Sequence, residues 1–110
     1  MKQIEFYVTE NQKCPYLEWL ESLNYEYQAR IDMRLKRLQQ GNFGDYKQLQ
    51  NSELSELRFN FGAGYRIYYK EINNVVILLL AGSDKSDQNK TIKKANKYLK
   101  DYINRSNPND

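Results

Sequence analysis

The sequence predicts an α+β domain of order β-α-α-β-β-β-α, with a helical hairpin and a C-terminal helix packed on a small, mostly antiparallel, twisted sheet. Three observations carry this expectation. Lys2–Thr9 and the run from Leu54 to Lys70 alternate apolar and polar residues, the period of a strand with one buried face. Residues 15–38 and 91–103 instead repeat their apolar positions at helical spacing. Between them, Val75–Ala81 is apolar on both sides, as a central strand covered on both faces must be.

The first strand carries Ile4, Phe6 and Val8 on its predicted buried face. Pro15 suits the first turn of a short helix over 15–22, because its missing N–H has no partner to lose there. Tyr16, Trp19, Leu20 and Leu23 follow at helical spacing. Asn24 is an N-cap for the next helix, whose stripe is Tyr27, Ile31, Leu35 and Leu38. Gly41 ends that helix as a C′ residue. Asn42–Ser52 reads as a turn-rich connection.

The hairpin follows. Its parity puts Leu57, Phe59, Phe61, Tyr65, Ile67 and Tyr69 on a core face, and Glu56, Arg58, Asn60, Arg66, Tyr68 and Lys70 on the other. A three-residue turn, Gly62-Ala63-Gly64, pairs Phe61 with Tyr65, Arg58 with Tyr68 and Glu56 with Lys70. Asn73-Asn74 makes the next turn, and Gly82–Asn89 is a polar loop. Thr91–Ile103 is the last helix, with Ile92, Ala95, Leu99 and Tyr102/Ile103 inward and the lysines outward. One domain over 1–103 is expected, with 104–110 as a frayed tail.

Composition narrows the chemistry. The 110 residues suit one modest core, and no apolar stretch approaches a membrane span. The N-terminus lacks a signal-peptide core, and the single Cys14 agrees with a reducing compartment, so a cytoplasmic protein is expected. The chain has no histidine, which removes Ser-His and Cys-His catalysis and the usual histidine acid–base pair. No metal or other cofactor is expected. The net charge of +3 is unevenly spread: Lys85, Lys90, Lys93, Lys94, Lys97 and Lys100 crowd one segment, a pattern that favours a polyanion or simply solvates a helix face.

Glu56, Arg58, Arg66 and Tyr68 are the candidate site. Two arginines on one face of adjacent strands repel unless an anion joins them, and a phosphate accepts two parallel N–H donors from each guanidinium. Glu56 would orient an arginine or take the proton of a ribose 2′-OH. The alternative reading of this face is a solvated surface with a Glu56–Lys70 cross-strand pair. Lys85, in Gly82-Ser83-Asp84-Lys85 after the central strand, can also reach a phosphate. Lys90, Lys93, Lys94 and Lys97 are candidate contacts to a nucleic-acid backbone.

Glu56-Leu57-Arg58-Phe59, then Gly64-Tyr65-Arg66-Ile67-Tyr68-Tyr69, then an apolar strand into Gly82-Ser83-Asp84-Lys85 and a lysine-rich helix resemble the RelE/ParE toxin superfamily. Within it the chain is most similar to the HigB-like, phage-derived addiction module killer toxins. The resemblance covers roughly Met1 to Tyr102 and implies a RelE-like fold. It further implies a type II toxin–antitoxin toxin that is neutralised by a cognate antitoxin, a helix-turn-helix protein in related systems. Its RelE and HigB branches are mRNA interferases, metal-independent endoribonucleases that cut mRNA in the ribosomal A site by 2′-OH attack on the adjacent phosphate. By resemblance Arg66 and Arg58 grip the scissile phosphate, Lys85 adds a cation and Glu56 is the base. The tyrosine that RelE carries near the start of its last helix is absent from Asn89-Lys90-Thr91-Ile92, and Tyr68 is the available substitute. The alternative on the same fold is a ParE-like inhibitor of DNA gyrase that acts by binding.

Overall fold

The computed structural model describes residues 1–106; the predicted tail beyond Ser106 lies outside the described residues. The elements are β1 (Gln3–Phe6), α1 (Pro15–Glu21), α2 (Tyr25–Gln39), β2 (Tyr46–Gln48), β3 (Ser55–Arg58), β4 (Arg66–Ile72), β5 (Val76–Ser83) and α3 (Gln88–Ser106). The protein is α+β. Its five strands form one open mixed sheet in the order β1-β5-β4-β3-β2, with β1 parallel to β5 and the other pairs antiparallel.

The local signals act as the residue chemistry requires. Pro15 opens α1. The Asn24 side chain accepts the Tyr27 N–H at 2.9 Å and starts α2, and Gly41 takes a φ of +90° just past its end. Asn73 and Asn74, both at positive φ, turn β4 into β5. Each is a conformation in which Asn or Gly costs least.

The sheet separates two cores. α1 and α2 bury Tyr16, Leu20, Ile31, Leu35 and Leu38 against Leu57, Phe59, Ile67, Tyr69, Ile77 and Leu79. α3 buries Ala95 and Leu99 against Tyr7, Leu54, Tyr68, Leu78, Leu80 and Ala81 on the opposite face. This second core changes the meaning of the polar side of the hairpin. Glu56 is 2% exposed and Tyr68 is fully buried, so that side is not the solvated surface of the alternative reading.

Four expectations need correction. Tyr46–Gln48 is a strand inside the expected connection. All three residues are exposed at the sheet edge, so no alternation betrays them. The hairpin register is shifted by two residues: Arg58 faces Arg66, Leu57 faces Ile67 and Glu56 faces Tyr68. Its loop is longer than three residues because the ladder ends where the Phe59 N–H meets the Tyr65 carbonyl, at 2.9 Å. Phe61 leaves the ladder to pack its ring on Tyr27, 5.2 Å between centroids. A shift of two preserves parity, so every side chain keeps its face. Phe6 and Val8, expected inside, are 39% and 38% exposed because β1 is the other edge of the sheet. The last helix begins earlier than expected, at Gln88, and runs to Ser106, so residues 104–106 are helical rather than frayed.

α3 is pinned at its far end by one carboxylate. The Tyr7 hydroxyl donates to Asp101 at 2.6 Å, Arg105 pairs with Asp101 at 2.7 Å, and Arg105 also donates to the Val8 carbonyl at 2.5 Å. The hydrogen bond from Tyr7, with help from Arg105, holds the Asp101 carboxyl below its ordinary range. A depressed folded pKa adds stability above the unfolded value and loses it as the pH falls through the folded one. Asp101→Asn is therefore expected to be less stable than wild type at neutral pH. The gap should close as the pH drops below the ordinary carboxylate value of about 4. Urea unfolding across this range tests it; a gap independent of pH rules the coupling out.

Candidate functional site

β3 and β4 bring Glu56, Arg58, Arg66 and Tyr68 onto one face, and β5 supplies Ser83 opposite Arg66. Ser83 reaches that face through a bulge. The β4–β5 register changes between Tyr68, which faces Ala81, and Tyr69, which faces Leu79, leaving Leu80 as the extra residue. Leu80 and Ala81 therefore both enter the α3 core, and the phase beyond them is reversed. Gly82 then faces α1 under the Trp19 ring, and Ser83 faces the arginines' side. With strict alternation Ser83 would point the other way.

Arg58 and Arg66 stand directly across the ladder, where like charges oppose folding. One carboxylate pairs with Arg58 alone: Glu56 Oε1 accepts from Arg58 Nε at 3.0 Å. Glu56 Oε2 has Gln88 Nε2, from the first turn of α3, at 3.5 Å. The Arg66 side chain has no ion pair among the described residues, and its Nε is buried without a hydrogen-bond partner. A buried guanidinium donor left unpaired is costly, and an incoming anion would relieve it.

Behind the arginines, Tyr68 Oη and Ser83 Oγ lie 3.0 Å apart and share a hydrogen bond, with both residues buried. Burial raises the Tyr68 pKa most; the Ser83 bond and Arg66 pull against it, while Glu56 and Asp87 add to it. The phenol stays protonated at neutral pH and is sealed beneath α3.

The loop after β5 is ordered by Asp84. Its Oδ1 accepts from the Ser86 N–H, the Ser86 hydroxyl and the Asp87 N–H, at 2.9, 2.6 and 3.1 Å. The Ser86 hydroxyl above all lowers its pKa. Lys85 sits on this loop against the hairpin tip: its N–H donates to the Ala63 carbonyl at 3.3 Å, and a Cβ on Gly64 would lie 3.5 Å from its own Cβ. Its side chain is exposed and makes no ion pair among the described residues.

Lys90, Lys93, Lys94 and Lys97 are exposed on the outer side of α3, away from Ala95 and Leu99. Only Lys90 belongs to the first turn of the helix, beside Gln88. The other three follow along the rod at about 1.5 Å per residue and do not join the cluster.

Sequence reading missed Ser83, Gln88 and Arg34. Ser83 and Gln88 were both expected in the polar loop 82–89, whereas Ser83 closes β5 and Gln88 opens α3. Arg34 lies beside the apolar stripe of α2, yet its guanidinium donates to the carbonyls of Arg58, Phe43 and Asp45 at 2.9, 3.0 and 2.8 Å. It thereby fixes the end of β3 from behind. Its only signal in the sequence is a partly apolar helix position occupied by a cation.

No family-wide sequence model matches the chain. It is 51% identical over 78 residues to an uncharacterized protein of Haemophilus influenzae (strain ATCC 51907 / DSM 11121 / KW20 / Rd), a match that covers 70% of this chain and 78% of that protein. At that identity and coverage, the chain belongs to the same family as the Haemophilus influenzae protein.

Proposed function

We propose that this protein is the toxin of a type II toxin–antitoxin system, with a RelE-like fold and HigB-like activity. In this reading it is a ribosome-dependent endoribonuclease of the cytoplasm, held inactive by a cognate antitoxin. The observation that carries the reading is the opposed Arg58–Arg66 pair, in which Glu56 pairs with Arg58 and Arg66 retains an unpaired buried donor. Such an arrangement is unfavourable until an anion arrives. A phosphate brings two or more acceptors and a charge that both guanidinium groups can share.

The chemistry follows from that charge. The ribose 2′-OH loses its proton and attacks the neighbouring phosphorus; the bond from phosphorus to the 5′ oxygen breaks, and that oxygen takes its proton from solvent water. The products are a 2′,3′-cyclic phosphate and a 5′-OH. Negative charge builds on the phosphorane oxygens, where Arg58 and Arg66 act, with Lys85 at the rim. Glu56 orients Arg58 through Oε1, and Oε2, which faces Gln88 Nε2 at 3.5 Å, is the acceptor this reading assigns to the 2′-OH proton. Tyr68 is sealed and bonded to Ser83, so its part is to position the strands behind Arg66. The exposed lysines of α3 are the contacts to the backbone of RNA in the ribosome.

One observation favours the competing ParE-like reading, a gyrase inhibitor that acts by binding. Both groups suited to proton transfer, Glu56 and Tyr68, are buried. Inducing the wild type and the Arg58→Ala/Arg66→Ala variant in cells separates the two. The proposal expects codon-phased mRNA 5′ ends that vanish in the variant. DNA breaks or altered supercoiling without RNA cleavage overturn it.

A further inference from the structure

A second basic feature lies on the other side of the sheet from the arginine pair. α2 places Arg30, Arg34 and Arg37 at i, i+4 and i+7, so they share one helix face. With Met33 they line a groove of about 300 Å³, closed by Phe59, Asn60 and Phe61 of the hairpin. Arg34 is committed to three backbone carbonyls and meets no carboxylate within ion-pair distance. Burial above all lowers its pKa; Asp45 offsets this, and Arg37 adds to it. Arg30 and Arg37 are exposed and make no ion pair among the described residues. The groove therefore concentrates positive charge that the described residues do not neutralise by contact.

The form of the groove selects among anions. A nucleic-acid strand gains most where bases find free aromatic faces. Here the Phe61 ring is covered by Arg30, whose Cζ is 4.1 Å from its centroid, and by Tyr27 at 5.2 Å. Phe59 is 3% exposed, with Arg34 Cζ 4.9 Å from its centroid. The apolar surface left open is Met33, 56% exposed between Arg30 and Arg37. Met33 is flexible and unbranched and accommodates an aliphatic partner. Arg30 and Arg37 stand two turns apart, about 10 Å along the helix axis.

We infer that this groove is a docking site for an acidic, amphipathic peptide segment of a partner protein. Two carboxylates about 10 Å apart along the segment meet Arg30 and Arg37, and an apolar side chain between them covers Met33. On a helical segment this is Glu at i and i+7 with Leu at i+3 or i+4. The site needs none of the RNA chemistry proposed above and stands whether or not that reading holds.

The test uses a blocked, fluorescein-labelled helical peptide on an alanine–glutamine background, carrying Glu at i and i+7 and Leu at i+3 and i+4. Its all-glutamine counterpart and a single-stranded RNA oligonucleotide of twelve uridines serve as controls. Binding to the full chain is read by anisotropy, and its location by amide shifts in a heteronuclear NMR spectrum. The acidic peptide is expected to shift amides over 30–37 and 60–61, and the all-glutamine peptide to bind much less. Arg30→Gln/Arg37→Gln should weaken binding by about tenfold or more. Met33→Glu, a change at an exposed position, should do the same by repulsion, while Arg58→Gln should leave it unchanged. Three results overturn the inference: no binding of the acidic peptide, binding indifferent to Arg30, Arg37 and Met33, or tighter binding of the RNA through the same arginines.

Discussion

Arg66→Ala is expected to lower the proposed RNA cleavage on ribosomes by about 100- to 1000-fold, the usual loss when one preorganised donor to a developing oxyanion is removed. The fold should be almost indifferent to the same change. Arg66 faces Arg58 directly, and like charges directly opposed on a ladder are destabilising, which the alanine relieves. The lost aliphatic stem packs on the sheet and works the other way. Unfolding stability should therefore stay within about 0.5 kcal/mol of wild type or rise slightly. This combination separates a residue kept for chemistry from one kept for structure. Arg66→Lys should recover only part of the rate, because an ammonium keeps the charge and loses the planar fork. Single-turnover cleavage of programmed ribosomes, together with urea denaturation, measures both quantities. Cleavage within twofold of wild type, or a rate lost in step with stability, would remove Arg66 from the proposed site.

Gly82→Ala is expected to cost about 2–3 kcal/mol of stability through overpacking. A Cβ at this position would lie 2.2 Å from both Cδ2 and Cε3 of Trp19. The backbone cannot retreat, because Gly82 is paired with Ile67 inside the ladder. The indole must move, and with it the edge contact to Tyr65 at 5.9 Å. For a domain of this size each kcal/mol lowers Tm by roughly 4–8 °C, so a fall of about 8–24 °C should be seen by calorimetry. Trp19 is the single tryptophan, so a shift in its emission should accompany the loss. In a Trp19→Ala background the further cost of Gly82→Ala should drop below about 1 kcal/mol, since nothing remains to collide with. Additive losses in this double-mutant cycle would show that the indole is not what Gly82 accommodates. The proposed site should feel the change too, because Ser83, the next residue, holds Tyr68 behind Arg66.

The sequence by itself determined the α+β class, the core between the helical hairpin and the sheet, and the parity that sorts the hairpin side chains onto two faces. These follow from short-range physics. A period of two or 3.6 must bury one side, Asn24 caps through its own backbone neighbours, and Gly41 and the Asn73-Asn74 turn take positive φ where few other residues do so cheaply. Arg58, Arg66, Glu56 and Tyr68 were legible as one group for the same reason, since a register shift of two leaves parity intact. Tertiary structure decided which members of the group touch. The path of Phe61 toward Tyr27 lengthened the hairpin loop and set Arg58 opposite Arg66, a choice made by a ring contact across 34 residues of chain. The bulge at Leu80 reversed the phase of Gly82 and Ser83, because α3 and α1 each demanded a different side chain from the end of β5. The burial of Glu56 and Tyr68 beneath α3 likewise depended on where a distant helix came to rest, and no local pattern of residues encodes that.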